Sequence, residues 1–284
     1  MLVGMWLMWI LALVVASGLV VGLASGDQPI SRPWSPADPR RVPWAEVIRR
    51  YIWYVALALG AGILSGIVMI GAGGRLAMRI LAATAGDEAQ GRITEADEIV
   101  GVVSVDGTLG FVIFLGLLGG IVTGALFVLL HGLLPPGRWR GLTFGALLLV
   151  IGATRLDPLR PENPDFDIVG PGWLAVLVFV AMGLGYGLLL AALAGIYSRA
   201  LPLISLRPKA LVLYAPCLIL IPGFLFLVPV VVGGVLALLL SRVPQEWTRD
   251  TDRIRVTGRI VLGLIAVVAL PGFISGVVDI AGRT

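Results

Sequence analysis

Charge vanishes from the chain for long runs and returns in short clusters, and that alternation predicts its elements. Residues 51–74 carry no charged side chain, and about 20 such residues cross a hydrocarbon core as a helix. We therefore read 51–74 as a membrane span. The same pattern predicts spans at 1–25, 109–134, 141–155, 172–197 and 260–280. The span at 141–155 is short and needs Arg155 to snorkel to the interface. Residues 1–25 read as a retained helix rather than a cleaved leader, because no basic residue precedes the apolar run.

Residues 210–241 are uncharged and contain Pro216, Pro222 and Pro229. As one helix they would measure about 48 Å against a core of about 30 Å, and as two full crossings they would be too short. A broken helix or a hairpin turning near Pro229 is expected there. The fold class is accordingly all-α: a polytopic transmembrane bundle of about seven or eight membrane segments, forming a single domain over 1–284.

Composition strengthens this reading. The chain is 58% hydrophobic and 13% charged, with a mean hydropathy of +0.99, where soluble domains average about 25% charged. Arginine outnumbers lysine 20 to 1, a usage that suggests a bacterial genome and hence the plasma membrane. The small basic excess gives no reason to expect a nucleic-acid partner. A single cysteine, Cys217, and a single histidine, His131, exclude an internal disulfide and a Cys/His zinc cluster.

Charge becomes informative through its distribution. Residues 26–50 form a connector with five prolines and five arginines, too proline-rich for regular helix until Pro43, which suits a first turn and with Trp44 to Arg50 can start a short interfacial helix leading into the second span. It reads as a solvated cytoplasmic linker or as a contact for anionic lipid headgroups. The segment 75–107 carries three arginines against six acids, and 155–171 two against four. Arginine and lysine favour the cytoplasmic side. With the N-terminus outside, the linker and the loops at 135–140 and 198–210 fall inside, while 75–107 and the acidic loop 156–171 fall outside.

Arg75 and Arg79 share one face if the second helix continues past Gly73-Gly74. On the outer side they want partners, and Glu95, Asp97, Glu98, Asp106, Asp157, Asp165, Asp167 and Asp279 are candidates for an ion-pair or anion site. Asn163, Asp165 and Asp167 have the spacing of a weak divalent-metal loop. His131 reads as an interfacial histidine and Cys217 as a packed apolar residue. Gly62 and Gly66, Gly120 and Gly124, Gly183 and Gly187, and Gly272 and Gly276 stand four apart, the spacing that lets helices approach closely.

No catalytic signature and no cofactor motif is present. The spans hold packing residues and the loops hold charges, which fits a non-catalytic accessory or structural subunit of a membrane assembly, with lipids and a membrane-protein partner or a second copy around it. Two other readings are a channel or transporter for a small anionic, hydrophobic or lipid-like solute, and an enzyme acting on a lipid phosphate.

Overall fold

The structure is a computed structural model that describes residues 2–34, 43–95, 98–102, 104–156, 158–204, 208–221, 224–240 and 251–283. Two of the expected carboxylate partners, Asp97 and Asp157, lie outside the described residues. Among those described, the chain is all-helical and contains no strand. The helices are α1 (Leu2–Ser25), α2 (Trp44–Thr84), α3 (Val105–Leu130), α4 (Trp139–Ala153), α5 (Gly172–Ala200), α6 (Pro208–Leu213), α7 (Phe224–Leu240) and α8 (Thr251–Ala281). Five of them, α1, α2, α3, α5 and α8, are long and apolar enough to cross a membrane. Helix α4 and most of α7 are apolar but shorter.

The second helix outruns the uncharged run at both ends. Its 41 residues give a length of about 62 Å, twice the hydrocarbon thickness. It begins inside the proline-rich stretch because Pro43 is tolerated just ahead of a first turn. Glu46 in that turn suits the helix dipole and pairs with Arg50 one turn on, at 2.9 Å. At the other end it runs through Gly73-Gly74 into the acidic segment. Glycine inside a helix costs about 1 kcal/mol, and here the cost is offset by packing. Residues Gly66–Gly73 are wound as π-helix, and a Cβ at Gly71 would stand 2.7 Å from the Val112 carbonyl oxygen of α3.

Helix pairs close through glycine. A Cβ on Gly66 would lie 2.6 Å from Gly120 Cα, and one on Gly62 would lie 3.0 Å from Gly124 Cα, so α2 and α3 touch backbone to backbone. Helices α4 and α5 do the same, where a Cβ on Gly141 would stand 2.7 Å from the Gly187 carbonyl oxygen and one on Gly187 would stand 2.7 Å from Gly145 N. Around these seams the interior is filled by Trp53, Leu57, Phe127, Phe144, Leu189 and Leu190, all fully buried. Phe127 and Phe144 meet edge to face at 5.2 Å.

Contacts along α2 and α5 fix the two ends of the bundle. Gly18, Gly22 and Gln28 meet Leu189, Leu188 and Gly195 in turn, so α1 runs parallel to α5. Gly276 of α8 meets Thr154 and Pro161, and Arg283 O accepts from Gly172 N at 3.1 Å. At the far end of α8, Arg259 Nε donates to Leu133 O at 3.0 Å. One end therefore gathers the start of α1, the 85–104 and 154–171 connectors and the C-terminal residues. The opposite end gathers the 26–34 linker, the 131–138 turn and the start of α8.

Between α5 and α8 the chain turns back on itself. Tyr214 OH donates to Pro202 O at 2.9 Å, Leu220 packs with Leu59 and Ile121, Tyr51 OH donates to Val230 O at 2.6 Å, and Leu238 lies beside Val47. The contact point on α2 thus moves from Leu59 back to Val47 as the chain runs from 220 to 238. Twelve residues of α2 span about 18 Å. The turn expected near Pro229 is not formed there, because Pro229 lies within α7. A proline within a helix removes one backbone bond and can kink the helix rather than end it.

Candidate functional site

The end holding the C-terminus is an ionic layer built from three separate stretches of chain. Arg75 projects from α2 with only 3% of its surface exposed. Its Nη2 lies 3.3 Å from Glu98 Oε2, and its Nε donates to Thr108 Oγ1 at 3.3 Å. Thr108 in turn donates to Ser104 O at 2.8 Å, and Ser104 Oγ caps α3 by accepting from Gly107 N at 3.2 Å. The first turn of α3 therefore provides both the capping hydroxyl and the group that orients Arg75. An enclosed guanidinium needs such company, because a buried charge without partners costs several kcal/mol.

A second set of contacts joins the two acidic connectors. Arg160 Nη2 lies 2.6 Å from Glu95 Oε1, and Glu95 N donates to Asp165 Oδ1 at 2.7 Å. Asn163 Oδ1 accepts from Asp165 N at 2.8 Å. Arg283, from the C-terminus, reaches Asp167 at 3.3 Å and Asp279 at 2.8 Å, and also donates to Pro161 O at 2.6 Å. These pairs are largely solvent-exposed, where each contributes about 0–1 kcal/mol. Backbone contacts reinforce them, including Thr84 Oγ1 donating to Gly170 O at 2.6 Å and Gln90 Nε2 donating to Ala82 O at 3.0 Å.

Several expectations change against this geometry. Arg75 and Arg79 share the face expected of them, and among the described residues Arg75 alone of the two forms an ion pair. Arg79 is half-buried, and its Nε is enclosed without a hydrogen bond among the described residues. Asp106 is exposed in the first turn of α3, where the helix dipole suits it. Asn163 Oδ1 accepts from Asp165 N, Asp165 Oδ1 from Glu95 N and Asp167 Oδ1 from Arg283 Nη1, so one oxygen of each is already engaged. Among the described residues, no group of three His, Cys, Asp or Glu side chains is gathered as a metal site requires. Gly272 faces open space, while a Cβ on Gly276 would stand 3.0 Å from both Thr154 and Pro161 side chains.

Arg160 and Arg283 supply most of the layer's ion pairs, and a pattern search limited to one loop does not find them. The same holds for Gly141 and Gly145, which receive Gly187 and Gly183. At the opposite end, His131 follows α3 with Nδ1 2.6 Å from Val128 O. Burial pushes its pKa below the ordinary 6.5, and the charges of Arg32 and Arg140 add to the fall, while the Val128 hydrogen bond opposes it. Cys217 is a half-buried free thiol packed against both the main core and the Leu59–Ile121 cluster.

Three hydroxyl groups within the spans find partners inside the bundle. Thr123 and Tyr186 bond to each other, Thr123 also reaches Gly119 O, and Ser65 Oγ donates to Ala61 O at 2.8 Å. No protein-family model, curated protein or solved structure matches the chain.

Proposed function

We propose that this protein is a non-catalytic integral membrane protein, serving as an accessory or structural subunit of a membrane assembly. The observation that supports this most is the state of the polar groups inside the bundle. Thr123 and Tyr186 bond to each other, and Ser65 and Thr123 bond to backbone carbonyls, while charge is concentrated at the two ends. A hydrophilic pathway needs ionisable or amide groups within the spans, and a catalytic centre needs convergent acids, bases or nucleophiles. The residues here are arranged instead for close packing and for a tied ionic cap.

Six crossings follow from the contact levels in this reading: α1 to α5 and α8. Helices α6 and α7 form a re-entrant pair, so eight segments enter the membrane. The arginine-rich end faces the cytoplasm by the positive-inside tendency, which sets the N-terminus, the C-terminus and the ionic layer outside. Helix α4, at 15 residues or about 22 Å, spans with Arg140 and Arg155 snorkelling at its ends.

The experiment is purification from native membranes in a mild detergent, followed by native mass measurement. A stoichiometric complex is the expected result, and a homogeneous isolated monomer would overturn the subunit reading. The re-entrant pair is the one feature favouring a channel or transporter. Solute flux into vesicles containing the purified chain alone would establish that reading in its place.

A further inference from the structure

Helix α4 is shorter than its neighbours α5 and α8, and where it ends a groove opens on the surface of α8. The groove is lined by Arg155, just past the end of α4, and by Leu264, Ile265, Val268 and Ala269 of α8. Ala269 is buried and forms the floor, where its methyl group leaves the space unfilled, while Leu264, Ile265 and Val268 are exposed and form the wall. Thr154, the residue before Arg155, stands 3.0 Å from where a Cβ on Gly276 would be. Leu264 to Ala269 precede Gly276 by seven to twelve residues, about 10–18 Å along the axis. The groove therefore begins at Arg155 and runs toward the middle of the bilayer.

Arg155 is exposed, and its one hydrogen bond among the described residues is a long one, from Nη1 to Ile151 O at 3.5 Å. No carboxylate among those residues pairs with it. An arginine at the edge of the hydrocarbon is costly unless it meets a counter-charge, and its planar fork matches phosphate oxygens. A cation at the mouth of an apolar channel is complementary to an amphiphile, with an anionic head for the guanidinium and a hydrocarbon chain for the walls. The channel's volume, about 270 Å³, is below the range of about 300–1,000 Å³ for small-molecule pockets, so it suits a stretch of acyl chain and not an enclosed solute.

Trp173, the second residue of α5, is 57% exposed at this same end, and tryptophan so placed marks the headgroup level. We infer that Arg155 and the groove between α4 and α8 bind one anionic phospholipid of the leaflet at the C-terminal end, with its phosphodiester on the guanidinium and one acyl chain along Ile265 and Val268. Such a site requires the bundle to lie in a bilayer and is independent of any subunit partner.

The test uses the full-length protein in neutral detergent, titrated with phosphatidylglycerol, with phosphatidylcholine of the same chains, and with oleate. Phosphatidylglycerol should bind saturably and about fivefold or more tighter than phosphatidylcholine, the preference that one arginine contributes at a lipid surface. Arg155→Gln should abolish that preference, and its survival would overturn the role of Arg155. Val268→Trp, which fills the groove and leaves the charge, should weaken binding of both lipids. Val267→Trp, at the same depth but turned about 100° around α8, should weaken neither, and equal effects of the two would overturn the groove. All three replaced residues are exposed, so these variants keep the buried core. Oleate displacing phosphatidylglycerol at equal concentration would overturn the phospholipid assignment, and a dimer that binds no lipid would overturn the site in favour of a second copy on this face.

Discussion

Replacing Gly66 with alanine puts a methyl carbon 2.6 Å from Gly120 Cα and 2.9 Å from Gly120 N, with backbone on both sides and no side chain to yield. Ordinary contact begins near 3.4 Å, and the carbon would stand closer still to the Gly116 carbonyl oxygen, so α2 and α3 must separate by at least about 0.8 Å. A gap of that size forfeits a quarter to a half of the dispersion energy at the seam, and overpacking of this kind costs about 1–3 kcal/mol. Alanine also gains up to about 1 kcal/mol of helix propensity, which must be removed from the comparison. Gly272→Ala provides the correction, because nothing lies within 4 Å of a Cβ at Gly272. Equilibrium unfolding of both variants in mixed detergent micelles should place Gly66→Ala below Gly272→Ala by about 1–3 kcal/mol. Equal stability in the two variants would refute backbone contact between α2 and α3.

Further outcomes follow from the two ends. Glu98→Gln leaves the buried Arg75 guanidinium with Thr108 alone and should destabilise the fold by about 1–3 kcal/mol in thermal unfolding. Arg75→Met/Glu98→Gln should recover part of that loss. His131 is held below its ordinary pKa by burial and by Arg32 and Arg140, so the unfolded chain takes the proton first. Stability is full above about 6.5 and falls as pH drops below that value until the lowered folded pKa is passed. The melting temperature of His131→Gln should show a shallower fall over that interval.

The uncharged runs made the positions of α1, α3, α5 and α8 legible, because absence of charge over 20 residues is a property of the chain itself. The ends of α2 were legible only in part: Pro43 marks a helix start, but not that this helix runs unbroken into the span. Charged residues are tolerated on turns that leave the hydrocarbon, so Glu46, Arg49 and Arg79 extend a helix that a charge count would stop. Gly73-Gly74 resembles a break until α3 is set against it. The glycine spacing identified faces of α2, α3 and α5, but which face meets which is a long-range property, and Gly141 and Gly145 became visible only as partners of Gly187 and Gly183.

The ionic layer divides similarly. Its acidic composition could be read from 75–107 and 155–171, and Arg75 could be identified as needing a carboxylate. The pairing could not, since Glu95 finds Arg160 65 residues away and Asp167 finds Arg283 116 residues away. Arg32 and Trp34 lay in a stretch whose prolines argued for an open linker, yet Trp34 folds back on Trp53 and Tyr54, where burial of aromatic surface outweighs the freedom of a connector.

The most direct test of a charge-segregated bundle with a re-entrant pair is cysteine accessibility on a Cys217→Ser background, using a membrane-impermeant maleimide. Glu88→Cys and Glu162→Cys should label in intact cells, and Arg138→Cys, Arg199→Cys and Asp252→Cys only after permeabilisation. Asp252→Cys labelling together with Glu88→Cys would mean that the chain crosses between Ala200 and Thr251, and would contradict the architecture.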